Sequence, residues 1–363
     1  MVEPSLKEVY GQVRKILHEL KGKDTEGRQE LLNWYKVKQE INEKRYNSKL
    51  FTDGVDSPFN VPTVEAIYSE DSKIVDGREV LNLCFEENFQ RDERLLAFGE
   101  DVGKIGDVNQ GFAGLQDKLG AHRVFDTGIR ENSIIGKGIG LAIRGLKPIA
   151  EIQYLDYLIY GITVASDDLA SLSYRTFGGQ KHRSLSVPAD TDWREYGIRD
   201  HRCVILGSLR GLHVCVPRNM TQAAGMYNTL FRSDEPAIVV ECLNGYRLKE
   251  RLPENVGEFT VPIGYAERIK EGQDITVVSY GSTLRVVEEA AVELERLGIF
   301  IEIIDAQTLL PFDKGQLCAE SLKKTNKLLV VDEDVPGALP HLYCRKYLKI
   351  KMVIIYLIAN LGH

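Results

Sequence analysis

From about residue 76 the chain alternates short apolar runs with stretches whose apolar positions recur every three or four residues. RLLAFGED, HRVFDTG, LKPIAEIQ, GLHVCVP and AIVVE read as strands, the first of them ending in acidic residues. Between them GREVLNLCFEENFQRD, the Gly-rich IRENSIIGKGIGLAIRG, YGITVASDDLASLSYRT and NMTQAAGMYNTLFRSD read as helices. Short apolar strands alternating with helices predict βαβ units and a parallel sheet. After GEFTVPIGYAERIKEG the alternation restarts, with DITVVSYG, IFIEIIDA and KLLVVDED as strands and TLRVVEEAAVELERLG and KGQLCAESLKKT as helices. That restart predicts a second, smaller α/β domain. No internal repeat at a period of about 20–50 residues is present.

The first 75 residues follow a different pattern. SLKEVYGQVRKILHELKG has apolar residues at helical spacing (Leu6, Val9, Tyr10, Val13, Ile16, Leu17, Leu20) and predicts an amphipathic helix. A second helical stretch covers roughly 26–45, and a turn-rich linker follows. Nothing here carries chemistry, so the expectation is a connecting or docking arm. One further stretch breaks the pattern: TDWREYGIRDHRC, residues 191–203, is densely charged and follows neither a period of 2 nor one of 3.6.

Composition narrows the function classes. The 363 residues suffice for two domains with real cores, and 43% hydrophobic with 27% charged residues is ordinary for a globular protein. A net charge of −7 argues against nucleic acid as the main partner. No window of about 20 apolar residues exists, which excludes a spanning helix and a membrane partner. Cys84, Cys203, Cys215, Cys242, Cys318 and Cys344 show no CxxC spacing and read as reduced thiols of a cytoplasmic protein. The seven histidines form no HxH or HxxxH pair, so no protein-built metal site is expected.

In an open parallel sheet, ligands bind at the carboxyl ends of the strands. HRVFDTGIRENSIIG puts Glu131 in the first turn of a helix, directly after a strand and a turn at Gly128. EIQYLDY puts Gln153, Asp156 and Tyr157 where the next strand ends. Alone, a first-turn Glu is an ordinary partner of the helix dipole, and Gln153 and Tyr157 are ordinary loop packing.

FGEDVG, HRVFDTGIRE, GLAIRGLKPIAEIQYLDY, the SYRT–GG helix end, VCVPRNMTQAAG and DITVVSYGSTLRVVEEAAVELERLGIFIEIIDAQTLLPFD change that weighting. In order and spacing they resemble the beta subunit of the thiamine-diphosphate-dependent 2-oxoacid dehydrogenases, the decarboxylating component. The likeness covers about residues 76–336. One departure is FDTGIRE, where the family has FDTPIxE. The resemblance implies an α/β fold: a pyrimidine-binding domain over 76–250, then a smaller, truncated transketolase C-terminal domain over 251–363, with 1–75 as arm and linker. It also implies a site. Glu131 matches the glutamate that hydrogen-bonds N1′ of the aminopyrimidine, and a carboxyl there favours the 4′-imino tautomer that takes the thiazolium C2 proton. Ile129 matches a residue lining the pyrimidine pocket, Tyr157 the aromatic packing on that ring, and Gln153 a polar neighbour.

The family's diphosphate-and-magnesium motif, GDG followed by Asn, has no counterpart here. The resemblance therefore implies that this chain binds only the pyrimidine end of thiamine diphosphate. Mg2+ and the rest of each site come from an alpha subunit or an alpha-like half, as in bacterial fused forms. The implied assembly is a heterotetramer built on a dimer of beta-like halves, acting on pyruvate or branched-chain 2-oxoacids and passing the acyl group to a lipoyl-bearing acyltransferase. The alternatives are the C-terminal half of another transketolase-like enzyme and a degenerate product without catalysis.

The resemblance also bears on the irregular stretch. Fused relatives carry a segment similar to GHRLEGIWHSGSPM there, with a histidine facing the substrate. Codons chosen within degeneracy for Asp192 to Arg202 spell LEGIWHSGSPM in another frame. The tail after VVDEDVPG behaves the same way. Residues 182–203 and 338–363 thus read as out-of-frame translation, and His182, His201 and His341 as chemically idle. An exposed, irregular loop is expected over 182–203, with regular structure resuming near Val204 or later, and a tail from 338 lacking the domain's last strands.

Overall fold

The computed structural model describes residues 4–47, 49–52, 54–180, 186–191, 208–332 and 353–358, the segments 186–191 and 353–358 as backbone. Residues Met1–Phe51 and Thr52–His363 form two separate units.

The first unit is a helical hairpin. α1 (Leu6–Glu19) opens with a reciprocal cap between Ser5 and Glu8, and α2 spans Glu26–Asn47. The Tyr10 ring meets the Tyr35 ring edge-on at 5.8 Å. Asn42 Nδ2 donates to the Tyr10 hydroxyl (2.6 Å) and Arg14 Nε to the Tyr35 hydroxyl (2.6 Å). Val13 and Tyr35 are buried, while Leu6, Ile16, Trp34, Val37 and Ile41 stay exposed.

The second unit begins with β1 (Ile74–Asp76), α3 (Gly77–Arg91) and β2 (Leu95–Gly99). All five residues of β2 are buried, as a strand covered on both faces requires. Then come α4 (Leu115–Leu119), β3 (Val124–Asp126), α5 (Glu131–Ile143), β4 (Lys147–Ala150) and β5 (Ile152–Tyr154). The helix expected from YGITVASDDLASLSYRT is broken into pieces. A 3-10 segment (Leu155–Gly161) leads into α6 (Ile162–Val164), a π segment (Ala165–Leu169) and α7 (Leu172–Arg175). The sheet continues with β6 (Ser186–Thr191), β7 (His213–Cys215), α8 (Met220–Phe231) and β8 (Ala237–Cys242). α3 and α8 pack together, joined by a buried bond from Asn88 Nδ2 to Asn228 Oδ1 (2.7 Å).

β9 (Lys249–Arg251) returns antiparallel to β1. The C-terminal part is β10 (Glu267–Lys270), β11 (Ile275–Ser279), α9 (Thr283–Arg296), β12 (Ile301–Asp305), β13 (Thr308–Leu310), α10 (Leu317–Thr325), β14 (Lys327–Asp332) and β15 (Val353–Ile358). Among the described residues the larger sheet runs β13–β7–β8–β6–β4–β2–β3, with β5 beside β6. The smaller runs β10–β12–β11–β14–β15. The larger sheet is parallel except at β13–β7, so a strand from beyond residue 250 forms its edge.

Two expectations fail. Residues 186–191 are not an irregular loop: β6 lies inside the larger sheet, paired with β8 from Ser186↔Ala237 to Thr191↔Cys242. The buried edge of β8 needs backbone partners, and extended backbone supplies them whatever its side chains. Pro188 donates no N–H, and pairing on the β4 side is confined to Ile149↔Ser186. The tail likewise does not lack strands, because VIIYLI, a β-branched apolar run, forms β15 parallel to β14. The frame-shift reading over 182–185, 192–203, 338–352 and 359–363, with His182, His201 and His341, lies outside the described residues.

Candidate functional site

The carboxyl ends of β2 and β5 and the amino end of α5 meet at one place. β2 ends at Gly99 and is followed by Glu100 and Asp101. The Thr127 N–H donates to the Gly99 carbonyl (2.6 Å), so the β3–α5 connection starts beside β2. Arg130 caps α5 in an extended conformation and Glu131 is its first residue. An acidic side chain in the first turn suits the positive end of the helix dipole. Yet Glu131 is only 9% exposed, although the N-cap residue, Arg130, makes no side-chain cap bond.

The 3-10 segment presses on this helix. A Cβ at Gly161 would lie 2.6 Å from Ile135 Cδ1 and 3.5 Å from the Glu131 Cβ, so glycine permits the approach. Gln153, at the centre of β5, donates from Nε2 to Asp101 Oδ2 (2.8 Å) and ties the two strand ends together. The Tyr154 ring meets the Tyr157 ring edge-on at 5.5 Å. Tyr157 is 40% and Ile129 69% exposed. The structure thus brings a buried carboxyl, an amide and an aromatic ring to one strand end, with Ile129 on the open rim.

Glu100 and Asp101 also belong to this place. Burial first, then the charges of Asp101 and Glu131, hold the Glu100 carboxyl above its usual range. The sequence signal was a strand, FGED, ending in two acids; what it lacked was the partner strand that brings Gln153 to Asp101.

Buried carboxyls that no motif marks lie behind the site. Asp107, at φ 66°, accepts backbone N–H bonds from Asn109 (2.5 Å) and Gly111 (3.0 Å), and burial pushes it up to about 6. Glu241 on β8 accepts from the Tyr227 and Tyr246 hydroxyls, and burial pushes it up to about 7.

The residues fit the pyrimidine end of thiamine diphosphate. Glu131 has a carboxyl that could face a ring nitrogen, and Tyr157, 40% exposed, an aromatic ring that could meet the pyrimidine. Among the described residues no group of three or more His, Cys, Asp or Glu converges as a metal site, and no helix is long and apolar enough to cross a membrane.

Comparison with known proteins bears on what this arrangement serves. Residues 73–248 match the family described as transketolase, pyrimidine binding domain, and residues 264–340 match transketolase, C-terminal domain. The pyruvate dehydrogenase E1 component subunit beta of Acholeplasma laidlawii is 38% identical over 265 residues, covering 71% of this chain and 79% of that protein. The 2-oxoisovalerate dehydrogenase subunit beta of Bacillus subtilis is 32% identical over 270 residues, covering 70% and 78%. The mitochondrial 2-oxoisovalerate dehydrogenase subunit beta of Dictyostelium discoideum is 33% identical, covering 77% and 76%. A split-gene transketolase solved as an inactive beta4 tetramer shares the fold at a TM-score of 0.65 and 19% identity, over 80% of this chain and 90% of that one.

Proposed function

We propose, from the premise that the chain belongs to the family of the beta subunits of pyruvate and branched-chain 2-oxoacid dehydrogenases, that it supplies the pyrimidine half of the decarboxylating site. The observation that carries this is Glu131, a carboxyl buried at the start of α5, with Ile129, two positions before it, and Tyr157 exposed. The partner is an alpha subunit or alpha-like half, which brings the diphosphate and Mg2+ side and covers the exposed rim. Two beta-like halves and two alpha-like halves form the working heterotetramer, in the cytoplasm. A lipoyl-bearing acyltransferase takes the acyl group.

Bound thiamine diphosphate supplies the electron sink into which a 2-oxoacid loses CO2. The chain's own residues do the rest on this side. Glu131 holds a proton at the pyrimidine N1′ and, by doing so, sets the basicity of the 4′-amino group. Tyr157 would pack on the pyrimidine ring and Ile129 would line its edge. Gln153, fixed by Asp101, keeps the polar wall in register. Glu100 stands beside Glu131 as a second, partly desolvated carboxyl. Closure by the partner excludes water from these groups.

The test is reconstitution. The full chain is combined with an alpha subunit, thiamine diphosphate and Mg2+, and labelled CO2 release from pyruvate and from 2-oxoisovalerate is measured. Release that needs both chains supports the reading; no release from any 2-oxoacid in a complex shown to assemble overturns it.

A further inference from the structure

Glu151 occupies the junction between β4 and β5, two residues before Gln153. It is 6% exposed, and its backbone N–H donates to the Phe98 carbonyl of β2 (2.9 Å). Its Oε2 is buried without a hydrogen-bond partner. That oxygen lies against Gly99: a Cβ at Gly99 would collide with it and sit 2.9 Å from the Glu151 Cβ. The carboxyl is therefore wedged over the last residue of β2, immediately before Glu100 and Asp101.

Its surroundings discourage a charge. The carboxyl lines a small closed cavity with Asp107, Glu241, Tyr246, Phe85 and Ile152. The charged groups acting on it are Asp107 from the loop after β2, Glu241 from β8 and Glu100 from the end of β2, all of them acids. From α3 it meets Leu81 and Phe85, which are apolar. Burial, then Asp107, raise its pKa well above the usual carboxylate range, and only a backbone N–H contact from Glu100 opposes them. Glu241 has both oxygens engaged by tyrosine hydroxyls, and Asp107 is engaged by its own turn.

We propose that Glu151 is a positioning residue: wedged over Gly99, it fixes the end of β2 so that Glu100 and Asp101 stand beside Glu131 and Gln153. A proton lost from Glu151 puts a charge among three acids, a repulsion that the Glu100 N–H offsets only in part, and this loosens that strand end. The effect on catalysis rests on the function proposed above; the effect on folding does not.

The full chain, native and Glu151→Gln, is unfolded thermally from about pH 4.5 to about pH 9. Both variants keep Asp107 and Glu241, so the difference between the curves reports the Glu151 proton together with its repulsion from those two acids. The folded protein holds a proton that the unfolded chain releases above its ordinary value of 4.5, so native stability falls as pH rises from there. The curves are expected to coincide near the acidic end and to separate by roughly 2–4 °C, with the Gln variant higher, above about pH 7. Parallel curves, or a Gln variant that is less stable at every pH, overturn the proposal. In the reconstituted complex, Glu151→Ala is expected to lower kcat on the order of 10–100-fold with KM little changed. Glu151→Gln restores it and moves the alkaline limb of the kcat profile outward. A Gln variant that fails to rescue kcat overturns the positioning role. Divergent unfolding curves without decarboxylation by any variant would instead count against the functional reading and leave the neutral wedge in place.

Discussion

The acids at the strand ends of the smaller sheet and the acid that opens α5 beside the larger sheet are held in opposite ways. At the end of β12, Asp305 is fully buried and completely engaged. Arg218 Nη1 donates to it at 2.7 Å, Gln222 Nε2 at 3.1 Å and the Gln307 N–H at 2.9 Å. At the end of β14, Asp332 accepts from the Tyr280 hydroxyl. Beside the larger sheet, Glu131 opens α5 buried, with Ile129, two positions earlier, and Tyr157 both exposed. The difference teaches where chemistry can reside. A carboxylate whose neighbours are built to satisfy it is a fastening, whereas one set near exposed residues is available to something outside the chain.

The largest expected effect sharpens the site side of this contrast. Glu131→Gln should lower turnover of the reconstituted complex by about 10²–10⁴-fold, because an amide cannot hold the N1′ proton as a carboxyl does. Thermal unfolding of the same variant should stay close to native, since no fold-holding bond is lost. Turnover near native would remove Glu131 from the mechanism.

Next comes the fastening. Arg218→Met should destabilise the chain by about 3 kcal/mol at neutral pH, because Asp305 is left charged in the interior. Burial already pushes Asp305 up to about 6 despite Arg218. A raised folded value means stability falls as pH rises from the ordinary 3.8 through about 6. The deficit of Arg218→Met should therefore shrink when unfolding is measured near pH 5, where Asp305 takes up a proton. A deficit independent of pH would mean that Arg218 acts through packing alone.

Smaller effects follow. Gly99→Ala should cost about 1–3 kcal/mol, since its Cβ has nowhere to go against Glu151, while Gly128→Ala, with open space around it, should cost far less. Chemical denaturation of the two variants side by side checks this, and equal losses would refute the close contact. Smallest for folding is Tyr157→Ala, expected to change the stability of the chain by no more than about 0.5 kcal/mol. It should nevertheless weaken cofactor retention by the complex with an alpha partner, read by calorimetry. A large loss of stability in the chain alone would make Tyr157 a core residue.

Much of this was legible before any coordinates. The β–α alternation is written in runs such as LLAFG and AIVVEC, whose full burial demands continuous apolar residues. Glu131 could be placed because a strand, a glycine turn and a helix start are each local signals. What was hidden depends on pairing at long range. SVPADT has no apolar run, so β6 is visible only as the partner that β8 requires. Glu100 and Asp101 read as a polar strand end until Gln153 is brought beside Asp101 across 52 positions of sequence. Glu151 reads as a break between two strands. Its isolation from water comes from Gly99, Asp107 and Glu241, which are scattered over more than a hundred positions of sequence.

The edge strand β13 has a consequence for how the protein is made. Thr308–Leu310 hydrogen-bonds to β7, almost a hundred positions earlier in the chain. During synthesis the larger sheet can gather every other strand and still present β7 with a bare edge until residue 310 leaves the ribosome. Over that interval the nascent chain carries an open pairing template of the kind that recruits chaperones or neighbouring copies. Slow translation between Cys215 and Thr308 would prolong this exposure, and a stop anywhere before Thr308 would make it permanent.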